Sequence, residues 1–259
     1  MIWRLGVTGY PIEHSLSPTL HEAGLRLAGL EGSSQRLAIV EDEIDRLGGL
    51  LGTSFDALSV TMPLKSAAVK LCTDLDEVAA RTGVVNSLLV RDGEVHGACT
   101  DGRGFIAALR ATFGTDVEGM HVVVLGAGGA ASGIVDALVE AKAGSVSVRA
   151  RNRAKVDALT SEYSTVDGDG SQSRPVELIV NTIPVAGRVD AAVTPGVSAD
   201  TIAVDISYEP RVSTWRALHE RAGCRSANGL GMLAYQAALQ MQWWWAVPMD
   251  GAKLLEVIQ

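Results

Sequence analysis

Val122-Val123-Val124-Leu125-Gly126-Ala127-Gly128-Gly129-Ala130-Ala131, read with Arg149-Ala150-Arg151-Asn152-Arg153, decides the fold of this chain. An apolar run suited to a buried strand enters a glycine turn, and a helical pattern follows. In such a turn Gly126 permits the tight bend and Gly128 lets backbone come close to a diphosphate. The small Ala131 allows the next helix to pack closely, with its N-terminal amides facing the anion. The β-rich run Ser145 to Ala150 completes a strand, turn, helix, strand order. About twenty residues on, where an NAD-binding fold places an acidic residue on the ribose 2′-hydroxyl, this chain has three arginines, an asparagine and no carboxylate. A 2′-phosphate suits that chemistry. The segment therefore predicts an NADP-binding domain of Rossmann type, with Gly126, Ala127, Gly128, Gly129, Ala130, Arg151, Asn152 and Arg153 as cofactor contacts.

Outward from this unit, the residues before it alternate short apolar runs with helical patterns: Leu5 to Thr8, Ser17 to Leu30, Leu37 to Val40, Glu41 to Leu51, Ala57 to Met62 and Leu64 to Leu71. Ser17-Pro18 opens its helix with a capping residue and a proline at the first helical position. Val84 to Val90 and Glu94 to Cys99 flank Asp92-Gly93, the signal for a hairpin with a two-residue turn. A helical pattern runs from Asp101 to Phe113. Beyond the dinucleotide unit, strands are expected near Glu177 to Ile183 and Thr201 to Ile206, with helices over Ser213 to Ala222 and Gly229 to Trp245. The expected architecture is two α/β domains with a cleft between them. Residues 1–100 plus 229–259 form a substrate-binding catalytic domain, and 101–228 the NADP-binding domain.

The 259 residues carry a formal charge of −8, which argues against a nucleic-acid partner. Anionic ligands must be captured locally, and the conspicuous basic cluster is Arg149, Arg151, Arg153 and Lys155. Cys72, Cys99 and Cys224 form no CxxC or Cys/His pattern, so neither a disulfide framework nor a metal site is expected. Free thiols and the absence of a basic-then-apolar leader suggest a cytoplasmic protein. Residues 226–249 lack charge, but Asn228, Gln236, Gln240, Gln242 and two glycines make them a poor membrane span. A packed helix fits better, in a monomer or a homodimer.

Polar residues at strand-to-helix loops are where an α/β fold places its ligand contacts. His14-Ser15-Leu16-Ser17-Pro18 brings two hydroxyls to one such loop. Ser59-Val60-Thr61-Met62-Pro63-Leu64-Lys65 ends a strand at a threonine and a lysine, and Asn86 and Asp101 stand on and just after the hairpin. A lysine after a proline is ordinarily a solvated residue, and an aspartate opening a helix is ordinarily a cap. His14 and His21 read as structural.

Taken in order, these segments resemble the shikimate dehydrogenase family along nearly the whole chain. The likeness comprises Ser15-Leu16-Ser17-Pro18 with His21, Val60 to Lys65, Gly83-Val84-Val85-Asn86-Ser87, Thr100-Asp101-Gly102-Arg103-Gly104, the glycine turn, Asn152-Arg153, Asn181-Thr182, Asp205-Ile206-Ser207-Tyr208-Glu209-Pro210, and Asn228 to Leu233 leading to Gln236. The resemblance implies reversible NADPH-dependent reduction of 3-dehydroshikimate to shikimate, a step in aromatic amino-acid biosynthesis. It implies Lys65 as proton donor and acceptor with Asp101 as its partner. Ser15 and Ser17 would hold the substrate carboxylate, Thr61, Asn86, Asp101 and Gln236 the ring hydroxyls, and Tyr208 would close the pocket. Thr182, Gly229 and Met232 would join the cofactor contacts.

The chain departs from the family pattern at Glu22, Ser59, Ser87, Cys99 and Ala154, where asparagine, asparagine, threonine, asparagine and threonine are usual. These positions surround the proposed ligands rather than supplying them. Two other readings compete. A paralogue would act on quinate or an amino-substituted ring acid, whereas a non-catalytic NADP-binding sensor would have no need of Lys65 and Asp101 together. The paired serines favour shikimate, since quinate-active relatives often carry threonine at the second position and an acidic residue near Asn152.

Overall fold

The computed structural model describes residues 2–168, 175–184 and 196–259. The chain divides into two compact units: Met1–Phe105 with Leu233–Gln259, and Ile106–Met232.

The first unit holds β1 (Ile2–Gly9), α1 (Ser17–Ala28), β2 (Glu31–Ala38), α2 (Ile44–Leu50), β3 (Ala57–Val60), β4 (Asp74–Leu75), α3 (Glu77–Thr82), β5 (Ser87–Arg91) and β6 (Glu94–Ala98). Its sheet has the order β2-β1-β3-β5-β6-β4. The strands β1, β2 and β3 are parallel, while β5 runs antiparallel to β3 and to β6. The β5–β6 turn has φ of 54° at Asp92 and 81° at Gly93, the two positive values that a tight hairpin turn requires. Leu47, Phe55, Leu58, Leu64 and Leu88 pack together as the core of this unit.

Two expectations are corrected here. The strand expected at Leu37 to Val40 is the end of an eight-residue strand, β2, in register with β1 from Ile2 opposite Glu31 to Gly9 opposite Ala38. It lies at the sheet edge and is mostly exposed, so its residues Glu31 to Arg36 are small or polar and show no apolar alternation. The helix expected at Leu64 to Leu71 is a turn followed by a 3₁₀ segment at Ala67–Leu71. Leu64 and Ala68 alone satisfy the helical spacing by being buried, and the chain closes through three-residue bonds such as Cys72 N to Val69 O.

The chain passes from one unit to the other within α4 (Asp101–Phe113) and within α8 (Leu230–Trp245). The second unit contains β7 (His121–Leu125), α5 (Gly129–Glu140), β8 (Ser145–Arg149), α6 (Arg153–Ser161), β9 (Val166–Asp167), β10 (Leu178–Asn181), β11 (Ile202–Asp205), α7 (Thr214–Arg221) and β12 (Arg225–Ala227). Its six strands are parallel in the order β12-β11-β10-β7-β8-β9. Numbered from β7, this is the doubly wound 3-2-1-4-5-6 arrangement, whose ligand crevice opens between the first and fourth strands. The end of the chain forms α9 (Gly251–Ile258), capped by Asp250 and belonging to the first unit.

Candidate active site

In the first unit, parallel β1 and β3 end at the same edge of the sheet. Antiparallel β5 begins there and β6 ends there, because Ser59 lies opposite Ser87 and Ser87 opposite Ala98. One edge thus collects the Ser15–Ser17 loop after β1, the Thr61–Lys65 turn after β3, Asn86 before β5 and Thr100–Asp101 after β6. This is why residues so far apart in sequence meet.

Lys65 Nζ lies 2.5 Å from Asp101 Oδ2, with side-chain exposures of 15% and 4%. The other carboxylate oxygen, Oδ1, accepts from Asn86 Nδ2 at 3.0 Å. The same amide nitrogen reaches Gln236 Oε1 at 2.9 Å and Thr100 Oγ1 at 3.0 Å, and Thr100 N donates back to Asn86 Oδ1 at 2.9 Å. Thr100 Oγ1 donates to the Gln236 carbonyl at 3.1 Å. Asp101 therefore has both oxygens engaged, and the ammonium stands on one of them alone. Removing either partner of so buried a pair would leave an uncompensated charge.

Close packing holds Gln236 in place. A methyl on Gly104 would lie 2.5 Å from Gln236 Cβ and 2.6 Å from its main-chain nitrogen, so only glycine lets α4 and α8 approach this closely. Ser17 is buried and its N donates to Ser15 Oγ at 3.3 Å, while Arg36 holds the Ser15 carbonyl at 2.7 Å. Thr61 N donates to Thr8 O at 2.9 Å. Ser15, Ser17 and Thr61 stand at the same sheet edge as Lys65 and Asp101, but their side chains take no part in the bonds around Asn86.

Of the departures, Ser59 joins a buried hydrogen-bond chain, and the Ser87 hydroxyl is buried without a hydrogen-bond partner. Burial, reinforced by the Asp101 carboxylate, pushes the Cys99 thiol up to about 12, which leaves it inert as a nucleophile. Thr100 and the residues around Ser59 were not among the candidates read from sequence. The available signal was Gln240, four residues after Gln236 and so on the same face of a charge-free helix.

In the second unit, the glycine turn stands at the crevice of the doubly wound sheet. Gly126 has φ of 109°, and a methyl there would collide with Thr182 Oγ1. Thr182, just after β10, donates from both N and Oγ1 to Leu125 O at 2.8 Å. Gly128 precedes the first turn of α5, and a methyl on it would meet nothing within 4 Å, which leaves open space at the helix N-terminus for a diphosphate. Ala131 is fully buried.

Asn152 caps α6 by accepting from Lys155 N at 3.1 Å. Arg151 is exposed, and Arg153 donates to Gly168 O at 3.1 Å and pairs with Asp157 at 3.4 Å. The exposed arginines after β8, with no carboxylate at its end, fit a 2′-phosphate. Gly229 lies against the carbonyl of Ile206, which excludes any side chain, and Met232 is buried in the first turn of α8. Tyr208 belongs to the loop after β11. No helix among the described residues is long and apolar enough to cross a membrane, and no metal-binding cluster occurs among them.

The shikimate dehydrogenase substrate binding domain model matches residues 7–88, and the shikimate / quinate 5-dehydrogenase model matches 108–184. A shikimate dehydrogenase (NADP(+)) of an Exiguobacterium strain is 37% identical over 97% of each chain. Among solved structures, the shikimate 5-dehydrogenase of Thermus thermophilus in complex with NADP(H) and shikimate superposes with a TM-score of 0.87. It is 32% identical and covers 99% of this chain and 98% of its own. The shikimate dehydrogenase of Aquifex aeolicus gives a TM-score of 0.88 at 26% identity, covering 100% of this chain and 98% of its own. With both units matched and the likeness extending over almost every residue, the chain belongs to the shikimate dehydrogenase family, oxidoreductases that act on CH–OH groups.

Proposed function

We propose that this protein interconverts 3-dehydroshikimate and shikimate with NADP, using Lys65 for the proton. The half-buried 2.5 Å contact of Lys65 Nζ with Asp101 Oδ2 carries this reading, because it presents an oriented ammonium at the polar edge of the sheet. When bound, the cofactor supplies the hydride. As the carbonyl carbon accepts it, the π bond breaks and negative charge grows on oxygen. The Lys65 ammonium stabilises that charge and passes it a proton, and the reverse reaction returns the proton to the neutral amine.

Asp101 keeps Lys65 in place. Asn86, bound to the other Asp101 oxygen and to Gln236, keeps the carboxylate from rotating. Ser15 and Ser17, on the loop after β1, supply hydroxyls for the substrate carboxylate, and Thr61, Asn86 and Gln236 contact ring hydroxyls. Gly126 to Ala130, Thr182, Gly229 and Met232 serve the dinucleotide, with Arg151, Asn152 and Arg153 on its 2′-phosphate. A sensor of the cofactor would need no buried Lys–Asp pair.

The test is oxidation of shikimate beside quinate, each with NADP⁺ and with NAD⁺. Turnover favouring shikimate with NADP⁺ supports the reading, and preference for quinate or NAD⁺ refutes it.

A further inference from the structure

A chain of buried polar side chains in the first unit ends on Asn86 without belonging to the Lys65 cluster. The Asn86 carbonyl accepts from Val60 N at 2.8 Å and from Gln240 Nε2 at 3.0 Å. A carbonyl can only accept, so the Gln240 nitrogen must face it and Oε1 must face Ser59, whose hydroxyl donates to it at 2.6 Å. With that hydrogen committed, Ser59 Oγ accepts from His21 Nε2 at 2.8 Å. His21 Nδ1 then carries no proton and accepts from the Ser34 hydroxyl at 2.8 Å. One carbonyl thereby sets the direction of four successive bonds.

The surroundings suit a fixed, neutral relay. His21 and Gln240 are completely buried, and Trp244 meets the His21 ring edge-on with centroids 5.2 Å apart. Burial pushes His21 down to about 3, which keeps it neutral. Ser59 offers only a hydroxyl from β3, and the carboxamide that reaches the Asn86 carbonyl comes from α8 as Gln240.

We propose that Gln240 is a positioning residue for the dehydrogenase reaction. It holds the main chain at Asn86 so that the Asn86 amide stays on Asp101 and Gln236, with Ser59 and His21 fixing the direction of the Gln240 carboxamide. Asn86 stands one residue before β5, its N donating to Ala98 O at 3.0 Å and its carbonyl accepting from Val60 N, and Gln240 adds a tie from α8 to that same carbonyl. A main-chain shift of about 1 Å would carry its amide out of hydrogen-bond range of Asp101. The proposal rests on the function assigned above.

Gln240→Met keeps the length of the side chain and removes its donor and acceptor. The test measures kcat for shikimate oxidation per NADPH-binding site, with sites counted by fluorescence titration, together with NADPH affinity and the urea midpoint. The expected result is a fall in kcat of about 10-fold, with NADPH affinity within about twofold of wild type. Adding Ser59→Ala removes the hydroxyl that Met leaves without an acceptor but also takes the acceptor from His21 Nε2, and kcat should stay low whichever way the urea midpoint moves. Wild-type kcat in Gln240→Met, or recovery of kcat together with stability in the double variant, would show a purely structural role and overturn the proposal. If the wild-type enzyme beside them fails to oxidise shikimate, the assigned function falls, and the proposal with it.

Discussion

Asn86 and Asp101 are joined by a 3.0 Å bond from Nδ2 to Oδ1, while Lys65 stands on the other carboxylate oxygen, Oδ2. The hairpin makes this possible by returning Thr100–Asp101 beside Asn86. Lys65 is held from a third segment, its carbonyl accepting from Val85 N at 2.9 Å. Lys65 and Asn86 are thus fixed by main chain as well as by side chain.

Lys65→Ala removes the proposed proton donor, a residue of the first unit. It should lower kcat by about 10²–10⁴-fold and leave NADPH affinity unchanged. Steady-state rates beside a fluorescence titration of NADPH test this, and unchanged turnover would remove Lys65 from the mechanism.

Arg153→Ala should weaken NADPH by about 1.5–3 kcal/mol, the worth of a charged hydrogen bond, and leave NADH nearly untouched. Its bond to Gly168 O and pairing with Asp157 are lost with either cofactor, so the difference between the two affinities isolates the 2′-phosphate. Equal losses for both would contradict the role.

Gly104→Ala drives a methyl into the backbone of Gln236, where neither helix can yield cheaply. Overpacking of this kind costs about 1–3 kcal/mol, and displacement of Gln236 should raise KM for shikimate as well. Urea denaturation and KM measured on the same preparation check both effects.

Stability should fall as pH drops from 7 to 5. The unfolded chain takes up a proton on His21 near the ordinary value of 6.5, whereas the folded protein, holding that ring buried and pushed down to about 3, does not. The contribution is complete above pH 6.5 and is lost below it at about 1.4 kcal/mol per pH unit, roughly 2 kcal/mol by pH 5. His219, also lowered by burial, acts in the same direction. His21→Gln should therefore flatten the slope in part, and an unaltered slope would mean that His21 does not contribute.

Local chemistry made much of this fold legible. The Gly126 turn, the Asp92-Gly93 hairpin and the Ser17-Pro18 helix start each declare themselves within a few residues. The edge strand β2 carries no apolar alternation because little of it is buried, and α3 is only six residues long, marked by its cap Asp76, which accepts from Ala79 N at 2.7 Å. At the site, Lys65, Asn86, Asp101 and Gln236 stand in ordered motifs. The hydrogen-bond chain of His21, Ser34, Ser59 and Gln240 is not legible in this way, although His21 itself stands in a motif, since its members come from two helices and two strands that only tertiary folding brings together.

The most direct measurement is the initial rate of NADPH oxidation with 3-dehydroshikimate, run beside NADH. Rapid turnover with NADPH and little with NADH is the expected result. NADPH that binds tightly but is not oxidised by 3-dehydroshikimate would contradict it.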